Sequence, residues 1–499
     1  MWSACNPGTC AGMESDTEKR SRVIDELLSD RQISTPLFQC IALELEEVGS
    51  RPCSLLVQRA IQHLEEGRWT RCHEVALKAR EYAWEQLHSG KSWQTVAKVH
   101  RDAYGVSGTL VAIATYISGE ADSLDNAVYA LDLVAMMAGG RFQGVANTFV
   151  EAMEADSFSK TDLAPPRVGA AQSPSSGVAP VATRAASVPD GVRPKKAKRD
   201  RSMATGRPGS GGGIRRIIMP PLDVFRRDYM ETETPVILSG VLDGWPAMGA
   251  SRSWSNSSYL KKVAGRRTVP VELGGSYTGE GWRQELMTIG DFIGRFIESH
   301  SQEESPTDKK GCSDTGERGE GSFPGGVPKN TSCGEKGTEK AYLAQHQLFD
   351  QIPALRRDIM TPDYCALLLQ DEEDHGDAES VATNAWFGPA GTVSPLHNDP
   401  FHNLLAQVVG TKRASVLLVD RKLSAAVYPR PGLMSNTSEV DAANPDLSKY
   451  PRFKEIMPLM ECELRKGEVL YIPPLFWHHI ESLETSFSVS FWWGKRRTL

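Results

Sequence analysis

The chain has 499 residues, 56 basic against 63 acidic, for a formal net charge of -7. At a rough prior of about 150 residues per domain, that length predicts two or three domains, one of them large enough for a substantial core. The near balance of charge excludes a chain-wide basic surface of the kind nucleic-acid binders carry, so any basic function has to be local.

No apolar run reaches the ~18 residues of a membrane span. The N-terminus MWSACNPGTCAGMESDTEKR lacks the charged start and apolar stretch of a secretory signal, so an intracellular protein is expected. The nine cysteines are odd in number and scattered without a C-x-x-C pair, which reads as free thiols in a reducing compartment.

Residues 20 to 155 read as successive helices. In SLLVQRAIQHLEEGRW the spacing places Leu55, Leu56, Ala60, Ile61 and Leu64 on one face, and similar runs recur in HEVALKAREYAWEQL and LDNAVYALDLVAMMAGG. An all-α domain, either a bundle or a short solenoid, is predicted, with partner binding or regulation as its role. Residues 156 to 213 turn to Ala, Pro, Ser, Gly and Arg and predict a disordered linker. Within it RPKKAKRDR, residues 193 to 201, has the composition of a nuclear localisation signal, or of a solvated charged stretch.

From 214 to 499 the texture is strand-rich. PVILSG (235–240), TVPVEL (268–273), ATNAWFG (382–388), NLLAQVV (403–409), RASVLLV (413–419), GEVLYIP (467–473) and FSVSFWW (487–493) are short β-branched and aromatic runs separated by turn residues. They predict a mainly β barrel or sandwich. Residues 301 to 340 are polar, Gly-rich and aperiodic, and predict a disordered surface insertion.

Two His-x-Asp pairs compete as metal sites. His375 and Asp377 sit in the acidic stretch QDEEDHGDAES, which reads as a solvated turn. His397 and Asp399, in LHNDPFHN, lead into the apolar run NLLAQVV, and residues i and i+2 of an extended chain share a face. A third ligand from a distant strand would complete the two-histidine, one-carboxylate triad of non-haem Fe(II) oxygenases. The candidates are His478 and His479 in LYIPPLFWHHIESL, while His402, at i+3 from Asp399, should face away. Lys412 follows NLLAQVVGT, and a hairpin return would carry its ammonium back over the metal to meet the far carboxylate of a keto-acid.

These residues carry a family resemblance. NAWFGPAGTVSPLHNDPFHNLLAQVVGTK, NTSEVDAANPDLSKYPRF, GEVLYIPPLFWHHIESLETSFSVSFWW and PVILSGVLDGWPA, with YLAQHQLFDQIP and TVPVELGGSYTGEGW, resemble JmjC-domain 2-oxoglutarate oxygenases. More narrowly they resemble the jumonji-domain protein five or lysine demethylase eight group, over roughly residues 215 to 495 apart from the insertion, and the helical N-terminus fits that layout. The resemblance implies a double-stranded β-helix, the cupin jelly roll. It implies Fe(II) on His397, Asp399 and His478, and 2-oxoglutarate on Tyr342, Ser394, Asn403 and Lys412, with O2 as co-reactant. It also implies a substrate pocket of Glu272, Tyr277, Gln345 and Trp386, with Trp492 nearby.

A carboxylate and indole faces suit a cationic side chain. The resemblance implies hydroxylation of a protein arginine first, with demethylation of histone methyl-lysine or histone-tail cleavage as alternatives implied by the same group. A non-catalytic chromatin assembly module is the competing class. The expected partners are a cationic protein or peptide substrate at the barrel and a protein at the helices, with no membrane and no direct nucleic-acid contact at the barrel. Phe401, His402, Pro474 and Leu475 depart from the family pattern and bear on substrate choice.

Overall fold

The computed structural model describes residues 15–29, 35–88, 96–158, 213–274, 276–279, 281–299, 339–368, 379–419 and 421–497. The linker with its basic run, nearly all of the 301–340 insertion and the His375–Asp377 pair lie outside the described residues.

Among the described residues seven helices come first: α1 (Asp16–Leu28), α2 (Thr35–Glu47), α3 (Arg51–Glu65), α4 (Trp69–His88), α5 (Lys98–Ser118), α6 (Ser123–Met137) and α7 (Gly140–Phe158). α1 begins at a capping box, where the Ser15 hydroxyl accepts from the Glu18 N–H and the Glu18 carboxylate accepts from Ser15 N–H. α5 is buried on nearly every side, so it is the hub on which the other helices pack. α3 corrects the sequence expectation in one detail. Its buried face is Cys53, Ser54, Val57, Ala60, Ile61 and Leu64, whereas Leu55 is exposed, because the stripe starts two residues earlier than the Leu-Leu pair suggests.

The described residues of the C-terminal part form thirteen strands: β1 (Arg216–Ile218), β2 (Val236–Ser239), β3 (Thr268–Leu273), β4 (Arg283–Thr288), β5 (Ala341–His346), β6 (Glu379–Gly388), β7 (Val393–Asn398), β8 (His402–Val409), β9 (Lys412–Leu417), β10 (Met460–Leu464), β11 (Glu468–Ile472), β12 (Trp477–Ser482) and β13 (Ser486–Gly494). Nine form one sheet in the order β1-β2-β11-β8-β13-β6-β5-β3-β4, and four form a second, β10-β9-β12-β7. All pairings are antiparallel except β1 with β2. Leu405, Ala414, Val416, Leu464, Leu470, Ile472 and Ile480, drawn from both sheets, fill the space between them. β8 is buried from His402 to Val408 without alternation, since the second sheet covers one face and aromatic residues such as Phe225, Trp245 and Trp254 pack behind the other.

The expected hairpin from NLLAQVV to Lys412 is not formed. β8 and β9 lie in different sheets, and the chain crosses between them at Gly410, whose φ of +72° and tight approach to Thr485 O leave no room for a side chain. Lys412 therefore enters the barrel from the sheet opposite β8.

The two parts are fastened by a buried polar node. Asp132 of α6 accepts from Arg267 Nε and Nη2 at 2.9 and 2.7 Å, from Gln351 Nε2 at 2.7 Å and from Thr268 N–H at 2.7 Å. Asn147 of α7 adds a bond to Asp350 O at 2.7 Å. Both Asp132 and Arg267 are essentially inaccessible to water, at 0% and 3% exposure. Replacing Asp132 with alanine would strand the Arg267 charge, so Asp132→Ala is expected to cost about 3–5 kcal/mol in denaturant unfolding. A loss under about 1 kcal/mol would show that the ion pair is not what joins the two parts.

Candidate active site

At one mouth of the barrel three side chains converge. His397 lies near the end of β7, Asp399 just beyond it, and His478 on β12 is the direct cross-strand partner of His397. A ligand atom from each lies within 4.8 Å of the others. His397 Nε2 is 3.9 Å and His478 Nε2 3.5 Å from Asp399 Oδ2.

The remaining ring atoms decide the chemistry. His397 Nδ1 is 2.7 Å from Pro395 O and His478 Nδ1 is 2.9 Å from Phe476 O. A carbonyl oxygen only accepts, so each Nδ1 carries a hydrogen, and each ring can offer an Nε2 lone pair toward the carboxylate. Burial, with the neighbouring His478 next, holds His397 down at a pKa of about 4 and so neutral. Burial alone would raise Asp399, but the His478 and His397 rings beside it bring its carboxyl below the usual range. Two lone pairs and a carboxylate facing one another in a buried space repel unless a cation sits between them. Nitrogen and oxygen donors in this 2:1 set suit Fe(II).

Beside this centre a recess is lined by Tyr342, Ser394, Asn403 and Lys412. Lys412 is 1% exposed and its Nζ donates to the Tyr342 hydroxyl at 3.1 Å. Burial alone lowers its pKa to about 7. Ser394 hydrogen bonds the Tyr342 phenol, which burial raises. Asn403 Oδ1 is buried without a partner among the described residues. A buried lysine whose charge burial disfavours, next to hydroxyls and an unsatisfied carboxamide, fits the distal carboxylate of a small dicarboxylic keto-acid.

Outward of the recess a cavity of about 580 Å³ is lined by Glu272, Tyr277, Gln345, Trp386 and Trp492, together with Trp282, Asn436 and Thr437. Burial raises the Glu272 carboxyl, partly offset by its hydrogen bond with Trp282. Tyr277 Oη lies 3.3 Å from Thr437 Oγ1, and the Trp386 indole donates to Ser490 Oγ at 2.9 Å.

The structure thus brings together all twelve residues singled out from the sequence. It places His402 outside, its Nδ1 2.8 Å from the Tyr471 hydroxyl and its ring stacked on Trp493. His479, buried on the same strand as His478, does not line the cavity. Trp282, Asn436 and Thr437 were not singled out. Trp282 follows from the β3–β4 pairing that sets the chain after Glu272 opposite it. The two polar residues after Met434 carry no spacing signal and reach the site because Thr437 bridges to His397.

Comparison with known proteins places this geometry in a family. The model of the cupin-like domain matches residues 221–498, and a model described as KDM8-like, N-terminal ARM repeats matches residues 64–163. The chain belongs to the cupin-like, JmjC-domain proteins. Within them it is similar to lysine-specific demethylase 8 of Danio rerio, 43% identical over 282 residues, or 56% of this chain and 58% of that protein. The lysine-specific demethylase JMJ30 of Arabidopsis thaliana is 36% identical over 425 residues, 84% of this chain and 86% of its own length. The Jumonji C domain-containing protein 5 of Drosophila melanogaster is 38% identical over 275 residues, 55% and 58%. The chain therefore aligns over little more than half of the two animal relatives. Among the described residues no helix is long and apolar enough to cross a membrane.

Proposed function

We propose that this chain is an Fe(II)- and 2-oxoglutarate-dependent oxygenase that demethylates a protein lysine. The observation that carries the oxygenase reading is the convergence of a half-buried His397 Nε2 with the buried Asp399 and His478 Nε2, next to the buried Lys412, whose Nζ donates to the Tyr342 hydroxyl. His397, Asp399 and His478 would hold the metal, and Lys412, Tyr342, Ser394 and Asn403 the keto-acid. When bound, Fe(II) with 2-oxoglutarate and O2 supplies an oxidant that hydroxylates a C–H bond while 2-oxoglutarate becomes succinate and carbon dioxide. The protein's own groups fix geometry and shed water. The Pro395 and Phe476 carbonyls orient the two rings, and Lys412 orients the keto-acid.

In the outer cavity the Glu272 carboxylate and the Trp386 and Tyr277 rings suit a cation. The names of the similar proteins favour a methylated lysine over the arginine expected first from sequence. A hydroxylated N-methyl group then leaves as formaldehyde. Arginine hydroxylation is kept as the second reading because a carboxylate beside an indole face also suits a guanidinium. Mass spectrometry of methyl-lysine and arginine peptides after turnover separates them. Loss of a methyl group with formaldehyde supports the first, and gain of one oxygen on arginine overturns it in favour of the second.

On either reading Glu272→Gln removes a charge-assisted contact worth about 1.5–3 kcal/mol, so KM for the cationic peptide is expected to rise roughly 10- to 150-fold. Unchanged KM would remove Glu272 from substrate binding. Nuclear residence is also proposed, on the strength of residues 193 to 201. A fluorescent fusion lacking them is expected to lose nuclear accumulation, and retention would show that the signal lies elsewhere.

A further inference from the structure

A second cavity, of about 510 Å³, lies where the helical part meets the barrel. One wall is the turn between α6 and α7 with Met136 and Gln143, and the other is β5 and its neighbours. Gln345 and Trp492 line both this cavity and the outer cavity of the candidate active site, so the two adjoin at these side chains.

The junction is held in a strained form. Gln345 has φ +47°, which a residue with a side chain seldom adopts, at a point where the β5–β6 register shifts between Leu343 and His346. A bulge of this kind re-aims its side chain. Next to it His346 Nε2 meets Gln351 Oε1 at 2.6 Å, and Gln351 in turn donates to Asp132 of α6. The helical part therefore braces the bulge that carries Gln345. The Trp492 indole N–H is buried there without a partner among the described residues.

The chemistry of the lining is specific. Among the described residues no lysine, arginine or carboxylate borders the groove, while Gln143, Gln345, Gln347 and Asn384 do. Side-chain carboxamides both donate and accept, which matches the alternating N–H and C=O groups of an extended peptide rather than a charged side chain.

We propose that the helical domain forms one wall of the substrate site, and that the peptide segment flanking the oxidised residue passes Gln345 and Trp492 into the groove bordered by Met136 and Gln143. This rests on the oxygenase reading above and adds to it the partner surface that selects the substrate. The helices would then read sequence next to the target, while Glu272 and the aromatic rings take the target itself.

The test uses the full chain held anaerobically with Fe(II) and 2-oxoglutarate. The probes are a fluorescent degenerate peptide pool with a central dimethyl-lysine and roughly six residues on each side, about 20 Å of extended chain per flank, and an end-blocked dimethyl-lysine without flanks. The wild-type protein is expected to bind the flanked pool at least about tenfold more tightly than the blocked residue. Met136→Trp and Gln143→Trp, made separately, fill the groove from the helical side and are expected to reduce that advantage to under about threefold. Each variant is compared only if its thermal unfolding midpoint matches the parent. The proposal is overturned if both variants keep the advantage, or if the wild-type protein shows none. Metal-dependent retention of 2-oxoglutarate, measured in the same samples, reports on the oxygenase reading separately, so loss of one result does not imply loss of the other.

Discussion

Replacing His397 with alanine is expected to weaken Fe(II)-dependent binding of 2-oxoglutarate by more than about a hundredfold, because loss of even an outer hydrogen-bond partner of a metal ligand costs 10- to 100-fold. The effect should be this large because the three donors do one job from two structural sources. His397 and Asp399 come from β7 and its end, and His478 from β12, so removing one leaves only a two-point contact with the ion. Asp399→Ala should do the same. His402→Gln should not, since the His402 ring is engaged with Tyr471 and Trp493 away from the cavity. Anaerobic calorimetric titration checks this. Equal keto-acid affinity with and without Fe(II), unmoved by His397→Ala, would leave the barrel as a non-catalytic module.

Lys412→Met is expected to weaken 2-oxoglutarate binding by about 2–5 kcal/mol, roughly 30-fold to several thousandfold in Kd, by leaving the distal carboxylate buried without its cation. The same substitution should stabilise the ligand-free protein near neutral pH. Burial lowers Lys412 from 10.5 to about 7, so between those values the unfolded chain holds the proton and the folded one does not. Stability of the ligand-free protein therefore rises with pH across that window, by the share Lys412 contributes. Methionine abolishes this slope. A bound dicarboxylate restores the charge, so binding at about pH 8 should draw a proton from the buffer. Calorimetry in buffers of different ionisation enthalpy measures that uptake. No uptake, or an unchanged Kd in Lys412→Met, would assign the lysine a purely structural role.

The strand-rich texture made the β fold legible, since β-branched and aromatic runs bounded by turn residues have few other uses. His397 and Asp399 were readable for a local reason, the two-residue period of an extended chain. His478 needed the family resemblance to separate it from His479. Strand β7 itself went unseen because Pro395 interrupts VSPLHN. Its place at the edge of the four-stranded sheet explains why a proline is tolerated there. The crossing at Gly410 also escaped notice, because a two-residue link looks alike whether the strands it joins pair or part. Asp132 gave no signal at all. A single acid in LDLVAMM shows nothing of a partner 135 residues away.

The position of β7 carries a consequence for the lifetime of the protein. It pairs with β12 on one side, and on the other, among the described residues, meets the short segment around Asn436 to Ser438. An ion gripped by His397, Asp399 and His478 would clasp this outermost strand to its neighbour. Without it the strand keeps only its backbone pairing, so this edge of the sheet should open more readily. The metal-loaded protein is therefore expected to resist limited proteolysis better than the metal-free protein, and equal cleavage with and without Fe(II) would overturn this.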